Sequence, residues 1–409
     1  MKTAMQKVLV TGMGAVTAIG NTVPEYWQNL IDGICGIAPI QRISTEKHDT
    51  KVAAEVDDTF ETLVKKYWKK RKLNATTRPV RMTLASAGEA VDDSSLDFEQ
   101  IDGSRVGVIY GVINNSFLEA ERKSPLNLVL KDTPSICTAL ISMKYGLHGA
   151  AFNVSTACAS SAYAAALGAQ MIQAGIYDIV IIGGVGSIVS HDSLYGFNQI
   201  MAMSVNPDPQ TACRPFTKNR DGFIMGEGGG TMILESEASA KKRGAKVYCE
   251  LAGAALYSEG EDLTAPAADG IGMEKTMRMA LENAGIAPEE VGYINAHGTS
   301  TVLNDRYETM AIQRLFGTHA NLIPVSSIKG AIGHTLGACG VLAGIACAKA
   351  IETGILPPTV HYDEPDPELT LDFIPNEARK QNINVAIANA FGFGGHNATL
   401  VFRRYVEEK

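Results

Sequence analysis

Short runs of β-branched and other apolar residues punctuate this chain at nine places: KVLVTG at 7, RVGVIYG at 105, DIVIIGG at 178, GTMILE at 230, KVYCELAG at 246, VGYINAHG at 291, IPVSS at 323, NVAIANAFG at 384 and ATLVFRR at 398. Most lack polar alternation, the pattern of strands buried on both faces. Between them lie stretches of small residues with helical character, ASSAYAAALGAQMIQAG (159–175), GMEKTMRMALENAG (272–285) and ACGVLAGIACAKAIETG (338–354). Doubly buried strands alternating with helices imply a layered α/β fold. At 409 residues the chain exceeds one simple core, so two closely packed domains or one large α/β domain are expected. NVSTACASSAYAAALGAQMIQAG and PVSSIKGAIGHTLGACGVLAGIACAKAIETG each run from a strand through a polar turn into an alanine-rich helix closed by glycine. This self-similarity predicts two related halves meeting face to face, 1–250 and 251–409, divided near KKRGAKVYCELAG.

Composition removes several classes of protein. Seven cysteines (35, 137, 158, 213, 249, 339 and 347) form no CxxC pair, which argues against a disulfide framework or zinc cage and for reduced thiols in the cytoplasm. The opening MKTAMQKVLVTGMGAVTAIG sets Lys2 and Lys7 before an apolar run, but Gly12, Gly14 and Gly20 break it, so a buried strand with a glycine turn is expected instead of a signal peptide. Apolar runs fall short of the roughly eighteen residues of a membrane span, the longest candidate being DIVIIGGVGSIV near 178–189. A net charge of −8 disfavours nucleic-acid binding. Against that background VKKYWKKRKL gathers Lys65, Lys66, Lys69, Lys70, Arg71 and Lys72, either a solvated helix face or a dock for an acidic partner.

Three residues carry the chemistry. Cys158 lies in STACASS, where a strand-like NVST enters a helix; a thiol there feels the positive end of the helix dipole, which is expected to lower its pKa. The other cysteines read as small buried apolar residues. His297 ends a strand in NAHGTST, and His334 sits in SSIKGAIGHTLGACG, a second strand-to-turn setting of the kind where α/β folds build sites. Lys329, five residues before His334, supplies a cation for developing negative charge. The Cys and His spacings do not suit zinc. GMGAVTAIG is not a dinucleotide fingerprint, because Thr17 stands where the third glycine is needed.

The strings VLVTGMGAVTAIG, TACASS, RPFTKNRDGFIMGEGGG, NAHGTST, SSIKGAIGHTLGACG and NAFGFGGHN, in this order, resemble the β-ketoacyl-acyl carrier protein synthase family almost end to end. The chain resembles the fatty-acid elongating synthases and, in LNDRYET and IETGILPPTVHYDEPDPE, the catalytic ketosynthase subunits of bacterial type II polyketide synthases. The resemblance implies a thiolase-type fold, two similar halves forming a five-layer α/β/α/β/α core, commonly dimeric. It implies Cys158 as nucleophile, His297 and His334 as the paired histidines and Lys329 as the family lysine. Phe393 matches the gate beside the acyl pocket and, with Cys158, the backbone oxyanion hole. Thr264, Thr299 and Thr301 match hydroxyls along the pantetheine arm, and Asp305 a supporting acid. Lys65, Lys69, Arg71 and Lys72 fall where the family docks its acidic carrier.

The reaction implied is a decarboxylative Claisen condensation of an acyl thioester on Cys158 with malonyl-acyl carrier protein. Its substrates ride on the carrier's phosphopantetheine, and no metal or redox cofactor is required. The implied partners are the acyl carrier protein and either a second copy or a chain-length factor subunit. One departure stands out: fatty-acid members carry a glutamate nine residues after the second histidine, where this chain has Ala343. A noncatalytic chain-length subunit usually lacks the cysteine, and a thiolase uses a second catalytic cysteine in place of two histidines; neither pattern fits.

Overall fold

The computed structural model describes residues 6–69, 73, 76–113 and 128–407. The first half-sheet is built from β1 (Val8–Thr17), β2 (Val106–Val112), β3 (Ala151–Val154), β4 (Ile179–Gly186) and β5 (Gly228–Ser236). The second is built from β6 (Cys249–Ser258), β7 (Tyr293–Asn295), β8 (Val325–Ser326), β9 (Val385–Gly392) and β10 (His396–Arg403). In space the first runs β1-β5-β4-β2-β3 and the second β6-β10-β9-β7-β8, so adding five to each label converts one order into the other. Directions repeat as well. In each half the last three strands of that order are mutually parallel and the first two are antiparallel to their neighbours. The halves join where Leu9 and Val10 of β1 pair antiparallel with Glu250 and Cys249 of β6.

Helices α1 (Arg78–Ser94), α2 (Ser160–Gln173), α3 (Ile271–Ala284), α4 (Val302–Phe316) and α5 (Cys339–Thr353) complete the layers. α1 covers the outer face of the first half-sheet, and α3, backed by α4, covers that of the second. α2 and α5 lie between the half-sheets and touch both, giving five layers with a large apolar core between the half-sheets and one on the outer face of each. A helix packed on several sides must be small and apolar on those faces; this accounts for the alanine content of α5, buried except at Lys349 and its last turn, and of the inward faces of α2, whose remaining face carries Tyr163, Leu167, Gln170 and Met171. Gly340 of α5 backs onto Ala162 of α2, where a Cβ would come within 2.6 Å of the Ala162 nitrogen.

The glycines of GMGAV have the same kind of purpose. A Cβ at Gly12 would sit 2.4 Å from the Ala90 carbonyl oxygen and one at Gly14 2.0 Å from that of Ser86, so they let α1 settle onto β1. Gly253 does the same for α3 on β6, at 2.7 Å from the Ala280 oxygen. The membrane reading needs one correction. The helical stretch Leu336–Thr353 does reach eighteen residues, with mean hydropathy 1.4. It is apolar because it is the central helix of the sandwich, with 83% of the stretch buried in the protein.

Candidate active site

The two stretches related by internal repetition occupy equivalent places: Cys158 lies between β3 and α2, and His334 between β8 and α5. His297 lies just beyond β7, and Phe393 in the turn between β9 and β10. The catalytic candidates thus sit at the carboxyl ends of parallel strands, the crevice side of an α/β sheet. Both repeat-related loops hold a residue in the left-handed region beside the chemistry, Ala157 (φ 48°) and Leu336 (φ 49°). Such backbone is sustained only by its surroundings, a common mark of a working site.

Donor atoms of Cys158, His297 and His334 all lie within 4.8 Å of one another. The imidazoles meet edge to face, with ring centroids 5.3 Å apart and planes at 83°. All three residues are buried, at 7%, 2% and 3% exposure. They open onto a cavity of about 390 Å³ whose apolar wall includes Ile113, Ile188, Phe197, Phe223, Leu336 and Phe391. Thr264, Thr299, Thr301 and Phe393 also line it. The Thr299 and Thr301 hydroxyls are 2.8 Å apart, while Thr264 is exposed at the rim and held to Asp262.

Burial pushes the Cys158 thiol up to about 12, and Cys339 pushes in the same direction. The Lys329 charge and the backbone N–H groups of Phe393 and of Cys158 itself pull it back down. The expectation of a lowered thiol pKa is therefore reversed: in the closed pocket, removal of water outweighs the helix terminus. Gly392 makes the approach of the Phe393 amide possible, since a Cβ there would lie 3.1 Å from the Cys158 nitrogen and 3.0 Å from the Thr156 oxygen.

Both imidazoles are driven well below the ordinary histidine range by burial first and then by Lys329; His334 adds to the effect on His297. They are neutral at pH 7. His334 Nδ1 accepts from the Leu336 N–H at 3.2 Å, so its proton resides on Nε2. Lys329 is buried and its ammonium donates to the main-chain carbonyl of His297. No carboxylate pairs with it among the described residues. The position expected to differ, Ala343, is packed in the apolar core between the half-sheets. Cys158, His297 and His334 are also a donor set a zinc ion takes, but the Lys329 charge beside them opposes a dication.

Two residues were not read from the sequence. Glu308, on α4, receives the His297 and Gly298 amides on its two carboxylate oxygens, each at 2.8 Å, and the Asn389 side chain at 3.1 Å. Its signal was a second acid one helical turn after Asp305 on the same face. Asp305 itself is buried away from the cavity and accepts from the Phe216 amide at 2.8 Å, tying the 214–220 segment to α4. Cys339, expected to be merely a small apolar residue, places its sulfur 3.0 Å from His334 Nδ1. Of the basic run, Lys65 and Lys69 are exposed with no ion pair among the described residues, whereas Lys66 is engaged by Asp92 at 2.9 Å. Arg71 and Lys72 lie outside the described residues.

Fold and site together define an acyl-transferring enzyme of the thiolase type, with one cysteine and two histidines gathered in its pocket. Residues 5–240 match the β-ketoacyl synthase N-terminal domain and residues 248–363 its C-terminal domain; the chain belongs to this family and is a β-ketoacyl synthase. It is 37% identical to a 3-oxoacyl-[acyl-carrier-protein] synthase 2 of Staphylococcus aureus (strain COL), over 98% of this chain and 99% of the relative. It is also 37% identical to the protein of that description from Synechocystis sp., with 98% of each covered. Among solved structures, the ishigamide ketosynthase/chain length factor superposes with a TM-score of 0.90 at 32% identity, covering 98% of this chain and 100% of the other. A type II polyketide synthase acyl-carrier protein in complex with its ketosynthase gives 0.87 at 31% identity, with the same coverage.

Proposed function

We propose that the chain condenses an acyl thioester held on Cys158 with malonyl-acyl carrier protein, giving a β-ketoacyl-acyl carrier protein and carbon dioxide in type II fatty-acid or polyketide synthesis. The observation that carries this reading is the meeting of one sulfur and two neutral imidazoles in the wall of an apolar cavity. The Cys158 sulfur attacks the incoming acyl thioester, its proton leaves with the carrier thiol, and the acyl group stays on Cys158. Backbone N–H groups of Cys158 and Phe393 stabilise the tetrahedral oxyanion. A malonyl thioester then loses carbon dioxide; the Nε2–H groups of His297 and His334 receive the enolate oxygen, and its carbon attacks the acyl carbonyl. Collapse releases product and returns the sulfur as thiolate, which regains a proton. Each lost oxyanion donor raises the barrier by about 2.7–4 kcal/mol.

In this reading Lys329 holds both imidazoles neutral and draws the malonyl carboxylate. Phe393, set before the left-handed Gly394 (φ 78°) and Gly395 (φ 69°), is the gate to the acyl cavity. Thr264, Thr299 and Thr301 flank the pantetheine arm, and Asp305 supports the loop packed against them. Lys65, Lys69, Arg71 and Lys72 dock the acidic carrier, whose phosphopantetheine carries the substrates without a metal or redox cofactor in the cycle. The partner is a second copy or a chain-length factor, and the location is cytoplasmic. The division near residue 250 is supported by the two half-sheets, each built from strands on one side of it.

The half-reactions separate the roles. His297→Ala and His334→Ala are expected to lose carbon dioxide release from malonyl-acyl carrier protein while still acylating Cys158. Loss of acylation with intact decarboxylation would reverse the assignment.

A further inference from the structure

His334 Nδ1 has two neighbours that determine what it does. One is the Leu336 amide at 3.2 Å, part of the turn itself; the other is the Cys339 sulfur at 3.0 Å, the first residue of α5. We infer that Cys339 is a positioning residue for the condensation: its S–H donates to His334 Nδ1 and holds the ring with its proton on Nε2, facing the Cys158 pocket. The inference rests on His334 acting as the enolate donor.

Three observations favour the S–H as donor. Nδ1 already accepts from an amide, so it has no proton to give. Cys339 is buried at 5% exposure, and burial raises its pKa, which keeps the thiol protonated. The other side-chain partner of the sulfur, Thr335 Oγ1, is more distant at 3.5 Å, and the Thr335 and Leu336 backbone N–H groups beside the sulfur are donors that cannot accept its proton. The charged and titratable groups around the ring are Lys329, His297, Cys158 and Cys339. Among the described residues Lys329 is the sole cation there and no carboxylate faces the ring, so nothing else in them orients it by charge. A thiol is a weak donor, but in a dry pocket a bond to the neutral imidazole makes protonation of Nδ1 harder and fixes the ring angle. Removing it leaves only the Leu336 amide, so the ring both rotates more freely and gains a proton more readily.

The test compares Cys339→Ala, Cys339→Ser and His334→Ala with the native enzyme on malonyl- and acyl-acyl carrier protein, as a function of pH. For Cys339→Ala the expected result is a roughly fivefold fall in kcat for malonyl decarboxylation with KM unchanged, and Cys158 acylation within about twofold of native. The acid limb of its decarboxylation profile should also move up by about half a pH unit, because the bond that opposed protonation is gone. Cys339→Ser, which keeps an O–H donor, should return both the rate and the limb. The proposal is overturned if Cys339→Ala matches the native rate and limb, or if serine restores no more than alanine. His334→Ala distinguishes the two levels: a variant that still decarboxylates removes the role of the ring itself. Loss in that variant together with a native Cys339→Ala removes only the role of Cys339. Should Cys339→Ala fail to fold, the serine variant decides. An acid limb coincident with native supports the inference, and a displaced limb at native melting temperature overturns it.

Discussion

The ammonium of Lys329 donates to the main-chain carbonyl of His297, with the two residues only 4% and 2% exposed. It is the cation that both imidazoles feel, and it opposes their protonation. Lys329→Met should therefore raise both histidine pKa values. The acid limb of the decarboxylation profile should move up by about one pH unit, the equivalent of ~1.4 kcal/mol, while burial, the larger cause, still keeps the rings largely neutral at pH 7. The loss should be larger at pH 6 than at pH 8, because only the acid side gains protonated rings. Release of labelled carbon dioxide across that range checks it; a uniform loss would show that Lys329 does not act through the imidazoles.

Gly392 brings the Phe393 amide onto the sulfur. A methyl group there meets backbone on three sides, at 3.0, 3.1 and 3.2 Å, and must push the turn away from Cys158. Gly392→Ala should slow acylation by about 10²-fold or more, the scale of a lost oxyanion donor. Burst-phase acylation is the measurement, and a burst within threefold of native would dissociate the hole from the Phe393 amide.

The position of the Cys158 thiol can be read directly. Because burial pushes it up to about 12, the thiolate fraction at pH 7–9 is small and grows about tenfold per pH unit. Alkylation of Cys158 by iodoacetamide should therefore climb log-linearly to pH 9. A plateau near pH 7 would mean that the helix terminus and Lys329 outweigh burial.

Carrier docking is an electrostatic claim and is separable from chemistry. Reversing Lys65 and Lys69 to glutamate should raise KM for carrier-bound substrate about tenfold at low salt, leave kcat within twofold, and leave a free pantetheine thioester unaffected. Adding Arg71 and Lys72 to the reversal should extend the effect. Equal loss of kcat and KM performance on both substrates would count against a dock.

The strands were legible because buried runs of Val and Ile have few alternatives, and the nine runs became nine of the ten strands of the large sheet. The tenth, Ala151–Val154, was visible only as NVST before Cys158; it is a short edge strand, partly exposed, with little apolar signal. The repeat was legible because Cys158 and His334 occupy equivalent loops. Glu308 was not, because its place one helical turn after Asp305 does not say that its carboxylate turns back to the His297 and Gly298 amides eleven and ten residues earlier. The Cys158 shift was misjudged for a related reason: a helix terminus is visible in sequence, whereas desolvation depends on what closes over it. The contact of Cys339 with His334 required the turn at Leu336, whose left-handed backbone no residue type announced.

The central claim is that the acyl group travels on Cys158. Native chain and Cys158→Ser should be incubated with acyl-acyl carrier protein and the adduct mapped by intact and peptide mass. The account predicts one acyl unit on the native chain, confined to the peptide bearing Cys158, and then a β-ketoacyl carrier once malonyl-acyl carrier protein is added. An acyl unit on Cys213 or any other cysteine, or product formation by Cys158→Ser at the native rate, would contradict it.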